Sequence, residues 1–573
     1  MDASMPRTDE RASEGPHAPA DLVLRNAKIY TMDSGRRGAE AIAIRGDTIV
    51  YVGTGPGVAG FVGPHTRVID ARGRMVLPSF QDCHVHPVLG GVIRRSCSLD
   101  RLATSGEYAA AVASYASRHP DRLWIVGGGW SMTAFLPDGL PDKRLLDAVV
   151  SDRPVFLLSV DGHTGWVNSK ALQIAGISRE TPDPPGGRIE RDPQTGDPSG
   201  GLQETSAMAL VLSHAPPIHA DEIERGLRYS LRMLNGFGIT SFQDALVTLG
   251  GSSAYRSLDA YRALDERGDL TARVVTALFW DASRGEEQID EFLRARDTYT
   301  RSRVRATSVK IWQDGILETH TASLLQPYAD RPGDRGRSHV DPGHLKEIVR
   351  RLDAEGFQVH FHAIGDAAVR ECLDAVEAAR EANGPSDGRH HIAHLQLVDS
   401  SDIPRFRRLG VVATFQPLWA CLDPQVVAFT LPLLGSERGR RNYLIRSFLR
   451  SGATVAFGSD WYVSSANPFE QIQVALTRTC VNADGTDSYL PDERIDLDEA
   501  LAAFTIHAAF VNHQEDRTGS LEAGKLADLI VLDRNLFEVD PRRIGETKVL
   551  LTLVGGVPVH GDFGSLESTV ASG

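Results

Sequence analysis

The chain has 573 residues, with 61 Lys and Arg against 75 Asp and Glu, 42% hydrophobic residues and a net charge of -14. This is the composition of an ordinary globular protein. The acidic balance argues against a surface that follows the phosphates of nucleic acid or anionic lipid, and no apolar run reaches the roughly 18 residues that a membrane-spanning helix needs.

Two features bear on the compartment of the protein. Residues 1–19 are polar and rich in Pro, Ser and acidic residues, without the apolar stretch of a secretory signal. This composition predicts a disordered leader of a cytoplasmic protein. The cysteines are scattered and odd in number, so they indicate neither a disulfide framework nor a thiolate zinc site, and they fit a reducing compartment. They are Cys83, Cys97, Cys372, Cys421 and Cys480.

Short strand-like runs separated by Gly, Asp and Asn turns fill residues 20–77. A similar pattern returns in residues 516–565. We expect these two terminal segments to build one small, discontinuous β-sandwich domain.

Between the terminal segments, in residues 78–515, apolar runs of strand length alternate with helical periodicity. This alternation is typical of βα units around a parallel sheet, and eight strands would close a (β/α)8 barrel of the TIM type. Residues 87–220 are too many for one crossover, so we expect an inserted subdomain that shapes or caps the site. The eight candidate strands are Val76–Cys83, Ile239–Gln243, Arg273–Phe279, Ser308–Trp312, Phe357–His362, His391–His394, Val411–Phe415 and Thr454–Phe457.

The first candidate strand ends in His84-Val85-His86. Residues i and i+2 of a strand point to the same side, so both imidazoles face one direction at a separation that suits a single small cation. On its own this pair also fits two structural histidines.

Four further side chains, on four other strands, strengthen the interpretation as a metal site. Each lies at the carboxyl end of a predicted strand, where a barrel builds its active site. Imidazole and carboxylate ligands favour zinc, with manganese, iron and cobalt as alternatives. The four residues are Lys310, His362, His394 and Asp460.

Lys310 allows two interpretations. Burial beside cations lowers the pKa of an amine, and the neutral amine can react with carbon dioxide to form a bridging carbamate between two metal ions. Alternatively, Lys310 forms a salt bridge to Asp314 or another carboxylate, and the site holds one ion.

Four motifs resemble the amidohydrolase superfamily, and the resemblance extends over residues 20–560. The Ala-Ile-Gly-Asp signature and Asp161-Gly162-His163 further resemble the branch that contains N-substituted formamide deformylases. The four motifs are Phe80-Gln81-Asp82-Cys83-His84-Val85-His86, His362-Ala363-Ile364-Gly365-Asp366, Gly458-Ser459-Asp460-Trp461 and Gly519-Ser520-Leu521-Glu522-Ala523-Gly524-Lys525-Leu526-Ala527-Asp528.

The resemblance implies hydrolysis of an amide-like carbon–nitrogen bond by metal-activated water, with one zinc ion, or two if Lys310 is carboxylated. Asp460 would be both ligand and general base. The family pattern selects His362 rather than its neighbour His360, which shares the same face of the strand. The implied ligands are His84, His86, Lys310, His362, His394 and Asp460.

Aromatic and polar residues near the strand ends and in the insertion are candidates for contacts with a bulky apolar N-substituent. Packing and loop hydrogen bonds within the subdomain are the alternative role for those in the insertion. The candidates are His163, Trp166, Asn168, Trp130, Trp312 and Trp461, with Glu204 and Trp419 as further ones.

The leading expectation for function is therefore conversion of an N-substituted formamide to formate and a primary amine. Alternatives are another amide, a cyclic amide, a carbamate or an aminated ring as substrate, because a barrel and its metal do not determine the substrate. A metal-stabilised binding scaffold without turnover is a further alternative. The expected partners are the small-molecule amide and a second copy in a homodimer, with neither nucleic acid nor membrane.

Overall fold

The computed structural model describes residues 18–35, 38–249, 256–481 and 487–567. Of the leader predicted for residues 1–19, the first 17 lie outside the described residues. Over the described ranges, no helix combines the length and the hydropathy needed to cross a bilayer.

An eight-stranded parallel sheet curls into a nearly closed barrel. Neighbouring strands pair in chain order, and most of their residues are buried, because helices cover the outer face and side chains fill the interior. The strands are β1 (Phe80–Val85), β2 (Ile239–Val247), β3 (Arg273–Phe279), β4 (Val304–Trp312), β5 (Gln358–Ala363), β6 (His391–His394), β7 (Val412–Phe415) and β8 (Val455–Phe457).

Residues just after β8 connect the last strand of the barrel to the first strand, β1. The backbone N–H of Ser459 donates to Asp82 Oδ1 at 2.9 Å. The backbone N–H of Asp460 donates to the carbonyl oxygen of His84 at 2.7 Å. These two bonds bring Asp460 beside the H-x-H pair of β1.

The connecting helices place an apolar stripe against the barrel. In Ala220–Gly236, for example, Ile223, Leu227 and Leu231 recur on one buried face. The other helices that follow barrel strands are Pro87–Arg95, Ser257–Glu266, Gln288–Tyr299, Pro342–Ala354, Asp366–Asn383, Ile403–Leu409, Leu431–Arg438, Ile445–Arg450, Pro468–Thr477, Leu497–Phe504 and Ile506–Val511.

The terminal segments form two further sheets. The first has four strands, in the spatial order Thr48–Gly53, Ala41–Arg45, Leu22–Arg25 and Arg67–Asp70. The second has six, in the order Val557–His560, Val549–Val554, Leu529–Leu532, Met75–Pro78, Lys28–Tyr30 and Gly38–Ala39. Apolar side chains of both sheets share one buried cluster, so the N-terminal and C-terminal parts of the chain stabilise each other.

The segment between β1 and β2 has a sheet of its own. Its strands, in spatial order, are Arg188–Arg191, Pro198–Gln203, Thr164–Val167, Val155–Ser159, Ile125–Trp130 and Cys97–Ser98. Four helices belong to this inserted region, namely Ser105–Arg118, Lys143–Asp147, Ser169–Ile174 and Glu204–Leu212.

Two sequence expectations need correction. The predicted strand Val76–Cys83 is two strands, because Met75–Pro78 pairs within the terminal sheet and the barrel strand begins at Phe80. The change of sheet occurs at Pro78 and Ser79, where proline supplies no N–H to a ladder.

The cysteine pattern indicated no disulfide framework, yet Cys421 and Cys480 form one disulfide with their Cα atoms 5.2 Å apart. The three other cysteines are buried thiols.

Candidate metal centre

A cavity of about 570 Å³ opens at the carboxyl ends of the barrel strands. Side chains of the barrel form its base, and residues of the inserted region form part of its wall. Nine of the residues predicted from the sequence line this cavity: His84, His86, His163, Lys310, Trp312, His362, His394, Trp419 and Asp460.

The tightest donor cluster contains His84, His86 and Asp460. One ligand atom from each lies within 4.8 Å of the others. Asp460 Oδ1 is 3.4 Å from His84 Nε2 and 3.0 Å from His86 Nε2. Burial acts to raise the pKa of Asp460, but His86, His394 and Lys310 together lower it below its ordinary value. A buried carboxylate therefore faces two imidazoles.

His362 and His394 lie next to this cluster. Their ring centres are 4.5 Å apart, and the ring of His394 is 4.7 Å from that of His84. One nitrogen of each lies beside a side-chain or backbone group of the protein: His362 Nε2 is 3.2 Å from the carbonyl oxygen of Gly315, and His394 Nδ1 is 2.9 Å from the amide of Gln416. The other nitrogen of each ring remains available as a ligand, an arrangement common around protein metal sites.

Burial keeps these rings neutral. It lowers the pKa of His84 and His362 well below the usual range, and that of His394 to about 3. A neutral imidazole has the lone pair that a metal ligand needs, so the low pKa values suit coordination.

Lys310 is 1% exposed, and its Nζ has no hydrogen-bond partner among the described residues. Burial lowers its pKa to about 7, against the opposing charge of Asp460. The alternative salt bridge to Asp314 is not formed, because the Asp314 carboxylate accepts the backbone N–H groups of Ser323, Ile364 and Gly365. The amine of Lys310 is thus directed into the site without a protein partner.

These observations fit a divalent cation. An anionic carboxylate, two close imidazoles, two further imidazoles and an unpartnered amine share one buried space. Nitrogen and oxygen donors of this kind suit zinc and its neighbours in the first transition row.

A buried ion pair borders the donors. His163 Nδ1 is 2.9 Å from Glu204 Oε2, and Thr321 Oγ1 donates to Glu204 Oε1 at 2.7 Å. Burial acts to lower the pKa of His163, but the charge of Glu204 raises it to about 9. The ring of Trp312 lies 5.8 Å from that of His163, and both residues line the cavity.

Four residues predicted to contact substrate lie elsewhere. Trp130 and Trp166 are fully buried in the core of the inserted region, where their rings pack at 6.2 Å. Asn168 caps the helix Ser169–Ile174 and donates to the carbonyls of Val150 and Arg153. Trp461 is buried outside the cavity lining, and its carbonyl accepts the N–H of His86. Packing and hydrogen bonding account for all four in this structure, and none of them lines the cavity.

Other lining residues were not singled out by the sequence pattern. Glu318 and Asp423 lie on loops at one side of the cavity, and burial raises the pKa of both carboxyl groups. Met208 and Tyr462 complete parts of the apolar wall. Loop residues show no periodicity, so only the fold brings them to the site.

The nearly closed parallel barrel, with histidine and aspartate donors at the carboxyl ends of its strands, is the architecture of metal-dependent barrel hydrolases. The chain belongs to the amidohydrolase family, whose model matches residues 67–560.

Two relatives and one solved structure are similar to nearly the whole chain. Protein LONG AFTER FAR-RED 3 of Arabidopsis thaliana is 33% identical over 546 residues, which is 94% of this chain and 92% of that protein. N-substituted formamide deformylase of Arthrobacter pascens is 28% identical over 550 residues, covering 94% of this chain and 98% of the relative. A crystal structure of an uncharacterized metal-dependent hydrolase from Pyrococcus furiosus has a TM-score of 0.67 and 26% identity, covering 91% and 99% of the two chains.

Proposed function

We propose that this protein hydrolyses an N-substituted formamide to formate and a primary amine, using zinc held at the base of the cavity. The observation that carries the proposal is the cluster of His84, His86 and Asp460 beneath a largely apolar wall. The similarity to N-substituted formamide deformylase over 94% of this chain supports the choice of substrate.

His84, His86 and Asp460 would hold one ion, and His362, His394 and a carboxylated Lys310 would complete a two-ion site. When bound, zinc supplies a water of lowered pKa and polarises the carbonyl of the substrate. The unpartnered, buried Nζ of Lys310 and its lowered pKa support carboxylation, because carbon dioxide reacts with the neutral amine.

Asp460 provides the general base in this proposal. Its lowered pKa keeps the carboxylate ionised, so Oδ1 or Oδ2 can accept a proton from the attacking water. The water oxygen bonds to the formyl carbon, the carbon–nitrogen bond breaks, and the same proton passes from Asp460 to the leaving nitrogen. The products are a neutral amine and formic acid, which ionises to formate by releasing its remaining proton to solvent.

The walls of the cavity match a small acyl group and a large amine substituent. Phe156, Leu158 and Met208 of the inserted region face the same space as Leu89 and Ile93 of the helix after β1. An apolar N-substituent would bury its surface against these side chains, while the formyl group reaches the donor cluster.

The test is formate release from a panel of N-alkyl and N-arylmethyl formamides. Enzyme stripped by a chelator, and the same sample reloaded with zinc, are assayed beside total metal per chain. We expect formate release only from metal-loaded enzyme, increasing with the apolar area of the substituent. A metal-loaded enzyme that is inactive on every formamide, yet hydrolyses another amide or a cyclic amide, would refute the substrate.

A further inference from the structure

We infer that Gln243 and His360 form a hydrogen-bond relay that holds His84 in one tautomer, with the proton on Nδ1 and the lone pair of Nε2 directed at the metal position. Both would be positioning residues, because they act on the site only through His84. The inference rests on the proposed role of His84 as a ligand. It assigns a function to polar side chains buried in the barrel interior.

The relay begins at two backbone carbonyls. Gln358 Nε2 lies 2.9 Å from the carbonyl oxygen of Arg389 and 2.7 Å from that of Val511. A carbonyl oxygen can only accept a hydrogen bond, so the amide nitrogen of Gln358 must be on this side. Its Oε1 is therefore directed the other way, towards Gln243.

The orientation of Gln358 determines that of Gln243. Gln243 Nε2 is 2.9 Å from Gln358 Oε1 and also donates to Asn512 Oδ1 at 3.2 Å. The opposite orientation would place two amide oxygens together in the dry interior, which costs about 1–3 kcal/mol per unsatisfied group. Gln243 Oε1 consequently faces His360 Nδ1 at 2.5 Å and His391 Nε2 at 3.0 Å.

The direction of the hydrogen bonds then continues through His360 to His84. Because Gln243 Oε1 is an acceptor, His360 Nδ1 carries the proton and the neutral ring has its lone pair on Nε2. That nitrogen lies 2.9 Å from His84 Nδ1, which must donate. His84 Nε2 keeps its lone pair and is 3.4 Å from Asp460 Oδ1. Gln243, His360 and His84 are at most 1% exposed, so water does not replace any of these partners.

The other ligand histidines lack a relay anchored in this way. His86 Nδ1 has no hydrogen-bond partner among the described residues, so the polar contact that bears on its tautomer is that of Nε2 with Asp460 Oδ1 at 3.0 Å. His394 Nδ1 contacts Gln416 Oε1, but Gln416 Nε2 has no partner in the described part of the chain and nothing determines the amide orientation. His84 is held through three side chains, Gln358, Gln243 and His360, in a series that begins at backbone carbonyls.

His360→Leu removes the relay, and His391→Leu is its matched control. His391 also bonds to Gln243 Oε1 and is equally buried, but its other hydrogen bond goes to Thr414 and not to a ligand. We expect His360→Leu to weaken zinc binding about 10–100-fold, the range for loss of a group that orients a ligand. His391→Leu should stay within a few-fold of wild type, measured by competition with a chelator of known affinity.

His360→Gln tests polarity separately from packing. Its amide can accept from His84 Nδ1 and donate to Gln243 Oε1, so zinc affinity should recover to within a few-fold of wild type. Equal loss in His360→Leu and His391→Leu would show a packing role and overturn the relay. Unfolding midpoints of the metal-free variants are measured in parallel, so that misfolded variants are recognised.

Nitrogen-15 NMR of the metal-free protein, labelled at the histidine rings, reads the tautomer directly. Comparison with His84→Asn assigns the His84 signals. We expect the proton on Nδ1 in wild type and in His360→Gln, and a mixture of tautomers in His360→Leu. A proton on Nε2 in wild type would overturn the inference. This result is independent of turnover, so a failure of the formamide assay would leave it standing.

Discussion

Asp460 lies beside histidines that come from two separate strands of the barrel, β1 and β6. Its Oδ1 contacts His84 and His86, and its Oδ2 lies 3.8 Å from His394 Nδ1. The position lies three residues after β8, and its backbone N–H is bonded to the residue that contributes the first imidazole. Loss of its charge should therefore affect chemistry more than folding.

Asp460→Asn removes the proposed base and keeps the shape of the side chain. We expect kcat to fall about 10²–10⁴-fold, the usual contribution of general acid–base catalysis. Metal per chain should fall much less, because the imidazoles remain. Steady-state kinetics and metal analysis of the same preparation check this, and a rate near that of wild type would refute the role of Asp460 as base.

Lys310→Met tests the number of ions. The methionine fills a similar volume but cannot form a carbamate, so we expect metal content to fall from two ions per chain to one. Added bicarbonate should raise the metal content of the wild type during reconstitution and leave the variant unchanged. One ion per chain in both proteins would show that Lys310 does not bridge.

At the scale of elements, Asp353 joins the end of the helix Pro342–Ala354 to the loop before β6. It accepts hydrogen bonds from Asn383 Nδ2, Ser386 Oγ and His390 Nε2 at 2.8, 2.7 and 3.1 Å. Burial acts to raise the pKa of Asp353, but these bonds, led by that of His390, hold it well below its usual range.

A lowered carboxyl pKa gives a defined pH dependence. The stabilisation is present above the unfolded pKa of about 4 and is lost as the pH falls through the folded pKa. We expect Asp353→Asn to lower the free energy of unfolding by about 1–3 kcal/mol at pH 7, and by less at pH 3.5. Urea unfolding at both pH values measures this, with Asp152→Asn, whose side chain is 72% exposed, as control. If Asp353→Asn lowers the free energy of unfolding by the same amount at both pH values, the lowered pKa of Asp353 is contradicted.

The barrel strands could be predicted because a strand buried on both faces is a continuous apolar run. The same pattern placed Lys310, His362 and His394 at strand ends. The relay of Gln243 and His360 could not be predicted, since it depends on contacts between side chains from several strands. Nor could the roles of Trp130 and Trp166, because a strand pattern does not say which face of the insertion meets the barrel.

At the scale of the whole molecule, the barrel supplies the donors and the inserted region supplies apolar walls. The cavity thus combines histidine, lysine and aspartate side chains at its base with walls that come partly from the insertion. The family match over residues 67–560 describes the architecture, whereas the proposed substrate would meet side chains of the insertion such as Met208.

Met208→Ala shortens a side chain of the apolar wall, so it enlarges the cavity and leaves the proposed metal ligands unchanged. We expect kcat/KM for the smallest N-alkyl formamides to fall about 10-fold, because each lost apolar contact costs about 1–3 kcal/mol, while longer substituents lose less or gain. Metal content should equal that of the wild type. The measurement is the ratio of kcat/KM between short and long N-substituents, in the variant and in the wild type. An unchanged ratio would show that the N-substituent does not contact Met208.

The bonds from Ser459 and Asp460 to β1 have a consequence for the order of assembly. The H-x-H pair is synthesised early, but the carboxylate that completes its cluster comes from the last strand connection of the barrel. In the proposed site, a nascent chain therefore cannot bind the ion in its final geometry until residue 460 has been added and the two ends of the sheet have met. Binding of the proposed cation would therefore follow closure of the ring of strands, and its rate during refolding would report a late event.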